Sequence, residues 1–280
     1  EAALESWIQQ TKASKLLYIH LETTHQEFMQ AELLGLALAT DDKEPVYIAC
    51  NTNQRQLLTA LKPLLENPNI KKVGSHLKHA YGVLKQYQIN LQGMDYDIML
   101  ESYVLNSAGR HDIHSLSLKY LGQNSVSYED IAGKGAKQIP LKELALEKVA
   151  GYSTEVLHSI KALHHKLYPM MDAALTKVFE GIEMPLIRVL GDMEREGVLI
   201  DSTTLKHHGD RLKERIVQLE QEAFLLAGHP FNLNSPKQLQ EIFFETLIIK
   251  VADSGNKSLQ FKPFFTMNRT ATSVTTINTT

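Results

Sequence analysis

Apolar residues follow two different rhythms along this chain, and the change from one to the other organises it. Toward the N-terminus they come in short, β-rich runs: Leu16–Thr23 (LLYIHLET), Leu33–Thr40 and Val46–Asn51. Polar, turn-prone stretches at Gln26–Glu32 and Asp41–Pro45 separate them, and gaps this short suit an antiparallel meander. An amphipathic helix, Ala2–Gln10, precedes them with Leu4, Trp7 and Ile8 on one side. Behind them, Asn51/Thr52 cap a helix reaching about Glu66, where Asn67-Pro68 stops it. Lys72–Gly74 reads as a short buried strand and Leu77–Tyr87 as a helix. Met94–Ala108 contains another helix with Asp97 at its N-cap, and Ile113–Leu121 is one more. Gly133–Gly135 (GKG) reads as a plain turn, because it lacks the spacing and preceding strand of a phosphate loop.

Further on, the period lengthens. Apolar or aromatic residues at 141, 145, 149, 152, 156, 160, 163 and 167 form one helical stripe over Leu141–Leu167. A helix from Met171 to about Glu196 leads out of this mixed α/β unit, and a second unit begins near Glu183. Gly197–Asp201 reads as a turn and a short strand, with Asp201 capping the next helix. In that helix Leu205, Leu212, Ile216, Leu219, Ala223 and Leu226 keep a heptad seam that closes at Gly228, and such a seam calls for a partner helix. Phe231–Leu247 is the nearest candidate. There Ser235, Pro236 and Gln238 make a capping box, with Asn232, Asn234 and Lys237 beside the helix N-terminus. That cluster serves either capping alone or the binding of a phosphate. Thr270–Thr280 is Thr/Asn-rich without a stripe and is expected to be disordered.

Composition narrows the function classes. A net charge of −3 gives no global signature of a nucleic-acid partner, so any such surface has to be local. The single Cys50 excludes an internal disulfide framework and a cysteine zinc site, and fits a reducing cytoplasm. No run is long and apolar enough for a membrane span. The chemically informative residue is Glu22, a carboxylate near the end of a buried strand, which is costly unless something pairs with it or a metal sits there.

Several blocks, recurring in one order, resemble a known family. LLYIHLET, KKVGSHLKHAYGVL (71–84), MDYDIMLESYVLNSAGRHDIHSL (94–116), EDIAGKGAKQ (129–138), LEKVAGYSTE (146–155), EMPLIRVLGDMEREGVLID (183–201) and FNLNSPKQLQEIFFETL (231–247) look like the Klenow-type large fragment of family A bacterial DNA polymerases. The resemblance implies a ribonuclease-H-like, 3′–5′ exonuclease-type α/β domain over 1–170, with a mixed sheet flanked by helices. A connecting helix and helical partial thumb would occupy 171–249, and a divergent tail 250–280. The palm and fingers, where nucleotides are added, would lie beyond residue 280.

The same resemblance assigns site positions. Proofreading relatives hold two metal ions with carboxylates from three motifs, because paired hard cations activate a water and stabilise the leaving oxygen. Here the first motif reads His20-Leu21-Glu22, the second ends on Ala80, and the third is Tyr152 followed four residues on by Val156. Only Glu22 and Tyr152 remain of it, while His20, Ala80 and Val156 replace three carboxylates. Glu155 and Asp97 are near in sequence, but a one-residue shift turns a helical side chain by about 100°, and Asp97 is expected to cap. The resulting expectations are a silent exonuclease with no catalytic residue and no cofactor, its cleft turned into a packed or inert surface where a lone Glu22 costs less if it reaches water. Mg2+ or Mn2+ enters only under the alternative of an active nuclease using Glu22 with His20, His76, His79 or His158. A non-functional product of a truncated gene is a second alternative. In the thumb, the resemblance makes Asn232, Asn234, Ser235, Lys237 and Gln238 contacts to the backbone of primer-template duplex, with a single-stranded 3′ end as a further ligand. A monomer in the bacterial cytoplasm, associated with the nucleoid, completes the expectation.

Overall fold

The computed structural model describes residues 2–50 and 53–246 and divides after Gly197 into two compact units. The expected caps Asn51/Thr52 and the tail from 250 onward lie outside the described residues. In the first unit, β1 (Leu16–Thr23), β2 (Leu33–Thr40), β3 (Lys43–Ala49), β4 (Lys71–Gly74) and β5 (Met94–Asp97) form one sheet in the order β3-β2-β1-β4-β5. β1 pairs antiparallel with β2, and β2 with β3, as the short connections require. β4 lies parallel to β1 and β5 parallel to β4, with helices α2 (Gln54–Leu65) and α3 (Leu77–Gln86) in the longer connections. This is the mixed sheet of a ribonuclease-H-like domain, flanked by helices.

Period two along β1 decides what each face of the sheet meets. Leu17, Ile19 and Leu21 enter a core with Leu61, Leu65, Leu77, Tyr81 and Leu84 from α2 and α3. Tyr18, His20 and Glu22 alternate to the opposite face. There Val156, Leu157, Ile160, Leu163 and Leu167 of α7 (Leu146–Leu167) close a second core with Tyr18, Val73 and Ile98. Each such side chain contributes about 1.5–3 kcal/mol on burial, so α7 is anchored along the length of the strand that carries Glu22.

Several boundaries differ from the sequence reading, each for a physical reason. β3 begins at Lys43, because Asp41-Asp42 make a two-residue hairpin and Pro45, lacking an N–H, is tolerated on an edge strand. The sequence pattern does not reveal β5: MDYD shows only two cycles of alternation, and its Asp97 also caps α4 (Ile98–Leu105) by accepting from the Met99 amide at 3.0 Å. Next come α5 (Ile113–Leu116), which widens into a π turn over Ser117–Leu121, and α6 (Tyr128–Ala132). The stripe from Leu141 is not one helix. Leu141–Glu143 is a 3-10 turn, Leu144 is extended, and α7 starts at Leu146. Three and 3.6 residues per turn space apolar positions too similarly for the pattern to separate them.

The first unit also runs to Gly197 rather than ending near 170. After Asp172 as N-cap come α8 (Ala173–Val178), a π turn over Phe179–Glu183, and α9 (Met184–Glu196). α9 buries Met184 and Ile187 in the first core. Tyr81 Oη donates to Asp192 Oδ1 at 2.8 Å, Lys85 pairs with the same carboxylate, and Lys78 Nζ reaches Glu194 at 2.5 Å. Gly191 permits this approach, since a Cβ there would meet the Tyr81 ring at 2.9 Å.

In the second unit, Asp201 accepts from the Thr203 and Thr204 amides, both at 3.0 Å, and so starts α10 (Ser202–Ala227); Gly228, at φ 81°, ends it. The expected strand before Asp201 does not form: Val198, Leu199 and Ile200 are exposed and unpaired among the described residues. α11 (Pro236–Glu241) runs into a π turn over Ile242–Thr246. The return covers only the end of α10, where Phe231 stacks edge-on against Phe224 at 5.5 Å and Ala227 is buried. Within this unit, most of the heptad seam therefore has no partner among the described residues. No described helix is long and apolar enough to cross a membrane.

Candidate functional site

Glu22 stands near the end of β1, opposite Gly35 of β2, and is only 4% exposed. A carboxylate so placed costs several kcal/mol unless it is hydrogen-bonded. Two groups meet one of its oxygens: Ser153 Oγ, on α7, donates to Oε1 at 2.6 Å, and His20 Nε2 lies 3.0 Å from the same atom. Two phenols stand close by. Burial and then the Glu22 charge push Tyr152 up to about 12, and the same two causes raise Tyr47. Tyr47 lies across Gly35, where a Cβ would come within 2.2 Å of its hydroxyl oxygen. Glu22 thus does not lower its cost by reaching water; it is buried and hydrogen-bonded. It is a clasp between β1 and α7. Ser153→Ala should cost about 1–3 kcal/mol, the penalty of stripping a buried acceptor of a donor. Urea denaturation measures this, and an unchanged midpoint would mean that Ser153 is not what holds the carboxylate.

The neighbouring positions are apolar. Ala80 on α3 and Val156 on α7 are 5% and 4% exposed, and Val156 belongs to the α7 core. His20, Glu22, His76, His79, Ala80, Asp97 and Tyr152 share one cleft of about 1410 Å³. Val156 and Glu155 do not line it, and Glu155 instead accepts from the Val126 amide at 3.2 Å. His79 Nε2 lies 3.1 Å from Thr23 Oγ1, and burial lowers its pKa. His158 lies outside the cleft, paired with Glu44 at 3.6 Å. Asp97 is 1% exposed, accepts from the Leu77 amide at 2.7 Å, and is raised above the usual carboxylate range by burial.

Whether these residues fit a pair of divalent ions can be judged from the donors. Such ions need several hard oxygen ligands converging from different elements. Here one carboxylate is committed to Ser153 and His20, a second caps a helix, and two apolar side chains occupy the remaining positions. Among the described residues, no group of three or more His, Cys, Asp or Glu side chains is arranged to hold a metal. The donor set does not fit.

The polar cluster of the second unit is also pre-committed in part. Ser235 Oγ accepts from the Gln238 amide at 3.4 Å, but Gln238 Oε1 accepts from the Asn232 amide at 2.6 Å rather than from Ser235, so the box is wider than the sequence implied. Asn232 Oδ1 takes the Asn234 amide at 2.9 Å. The side-chain amides of Asn232, Asn234 and Gln238 and the Lys237 ammonium remain as exposed donors.

Comparison with known proteins places this geometry. The family model described as "DNA polymerase I, ribonuclease H-like domain" matches residues 19–159. DNA polymerase I of Pseudomonas aeruginosa is 40% identical over 265 residues, covering 90% of this chain and 29% of that protein. DNA polymerase I of Rhizobium leguminosarum is 35% identical, covering 86% of this chain and 26% of its own length. The chain thus spans less than a third of either relative. A solved structure of the POL domain of Pol1 from M. smegmatis, in complex with DNA primer-template and dNTP, superposes with a TM-score of 0.67 at 23% identity, over 88% of this chain and 40% of that one. On the match over residues 19–159, the chain belongs to the DNA polymerase I family and carries its ribonuclease H-like domain.

Proposed function

We propose that the first unit is a catalytically silent 3′–5′ exonuclease-type domain, acting as a scaffold within a DNA polymerase I-like protein of DNA replication and repair. The observation that carries this reading is the state of Glu22: it is buried, hydrogen-bonded by Ser153 and His20, and accompanied by Ala80 and Val156 where carboxylates would be needed. No cofactor is required for that role. In the same proposal, Asn232, Asn234, Ser235, Lys237 and Gln238 of a partial thumb touch the sugar-phosphate backbone of duplex DNA, positioning it without reading sequence. With one lysine among them, binding should weaken with salt along a shallow slope. The bacterial cytoplasm, at the nucleoid, is the compartment that fits.

The test is 3′-end digestion of a labelled single-stranded oligonucleotide, with Mg2+ and then Mn2+, beside Glu22→Gln. No shortening in either metal is expected. Shortening that disappears in Glu22→Gln would overturn the silent-site reading. Anisotropy of a labelled primer-template at low salt tests the thumb, with Lys237→Ala expected to weaken binding severalfold for every sequence alike.

A further inference from the structure

We propose that the cleft beside Glu22 is a binding site for a small aliphatic polyamine, an organic cation with ammonium groups spaced along a methylene chain. This rests on the silent-site reading, because a divalent ion held there would claim Glu22 first. Ser153 Oγ and His20 Nε2 both meet Oε1 of that carboxylate. Oε2 has no hydrogen-bond partner among the described residues, yet it is not sealed inside the protein, and Glu22 lines the cleft. With Glu22 only 4% exposed, little water can serve that oxygen. A buried charge satisfied on one side only is costly, and a cation arriving through the cleft would remove part of that cost.

Charge along the rest of the lining points to the same class of ligand. Glu27 and Glu183 line the cleft with Glu22. Of the two lysines there, Lys78 is committed to Glu194 at 2.5 Å, which leaves Lys142 as the cation among the described lining residues. A cleft lined mainly by one sign of charge concentrates ions of the other. A phosphate would meet three carboxylates, and a divalent metal ion requires converging oxygen ligands that this cleft lacks. An ammonium is less exacting: it donates to whatever acceptors stand near, and an aromatic ring adds to the attraction. Tyr152 lines the same cleft, close enough to Glu22 for the carboxylate charge to raise its phenol. Phe28, Leu186 and Leu190 offer apolar wall to the methylene segments, and about 1410 Å³ has room for a chain rather than a single ammonium.

Isothermal titration calorimetry on the whole 280-residue chain, at low salt, reads the outcome. His20, His25, His76 and His79 share the cleft and would repel the ligand if protonated, so the titration belongs at pH about 8, where imidazoles in general are uncharged. Saturable one-site binding is expected, with spermidine tighter than putrescine and no heat from the uncharged diol of putrescine's length. Glu22→Gln keeps an oxygen for Ser153 and His20 but puts an NH2 donor where Oε2 stood. It should weaken spermidine by about tenfold or more, the scale of a hydrogen bond to a charged group. Glu183→Gln, on a different element, should weaken it severalfold. The proposal is overturned if no saturable binding is found, or if folded Glu22→Gln keeps the parent's affinity. Should Glu22→Gln unfold, an unchanged affinity in Glu183→Gln overturns it equally. Each of these failures leaves the silent-site reading standing, because that reading falls to metal-dependent shortening of an oligonucleotide.

Discussion

Val156→Asp is expected to destabilise the protein by about 3–5 kcal/mol at neutral pH, the usual cost of leaving an uncompensated charge inside a protein. Val156 sits in the α7 core with Leu157 and Ile160, one turn beyond the Ser153 that holds Glu22. A carboxylate there would be desolvated among apolar side chains, which raises its folded-state pKa above the unfolded value of about 3.9. A raised carboxylate pKa means that the penalty is absent below the unfolded value and grows as pH rises toward the folded one. Urea denaturation should therefore find the variant closer to the parent at pH about 5 than at pH about 7. Millimolar Mn2+ should not recover the loss. A variant as stable as the parent, or one that Mn2+ stabilises, would show that this position still opens onto an ion site.

His164→Ala should cost a similar amount, about 3–5 kcal/mol, for a related reason at a second buried carboxylate. Glu101 on α4 has no exposed surface, and its Oε1 lies 2.7 Å from His164 Nδ1 of α7. Tyr96 packs on the imidazole at 4.6 Å between ring centres. Burial already holds the Glu101 pKa above its ordinary value, with the His164 hydrogen bond opposing the rise. Removing the histidine takes away the opposing contribution and lifts Glu101 further. For a carboxylate raised in the folded state, stability is lost as pH climbs from the unfolded value of about 4.3 through the folded one. The variant should consequently fall further below the parent at pH 8 than at pH 5, and adding Glu101→Gln should return much of the difference. An equal deficit at both pH values would assign the loss to packing alone.

How much was legible beforehand follows from the range over which each feature acts. The three leading strands and the caps at Asp97, Asp201 and Ser235 are local, and the sequence shows them almost directly. The position of Glu22 at a strand end was equally plain. Its partner was not. Ser153 lies 131 residues away, and nothing in YSTE distinguishes a serine that binds a carboxylate from one facing water. Tyr47 is found only through the register that lays it over Gly35. The extent of the first unit was hidden for the same reason: Tyr81 and Asp192 meet across 111 residues, and α9 reads locally like any amphipathic connector. The family resemblance supplied the order of elements, and it named the replaced positions. The way Glu22 came to be held is a property of the fold alone.

The wide turn at Phe179–Glu183 sets a limit on how this chain can change length. The π turn accommodates one residue more than an α-helical path would, so α8 and α9 each meet the core with their own phase. Losing a single residue there would leave a straighter helix with better hydrogen bonds. It would also rotate everything downstream by about 100°, swinging Asp192 and Glu194 away from Tyr81, Lys85 and Lys78. Tolerance to insertion and deletion is thus lowest where the helix's own bonding is loosest, because the slack in that turn is what keeps the two halves in step with the sheet.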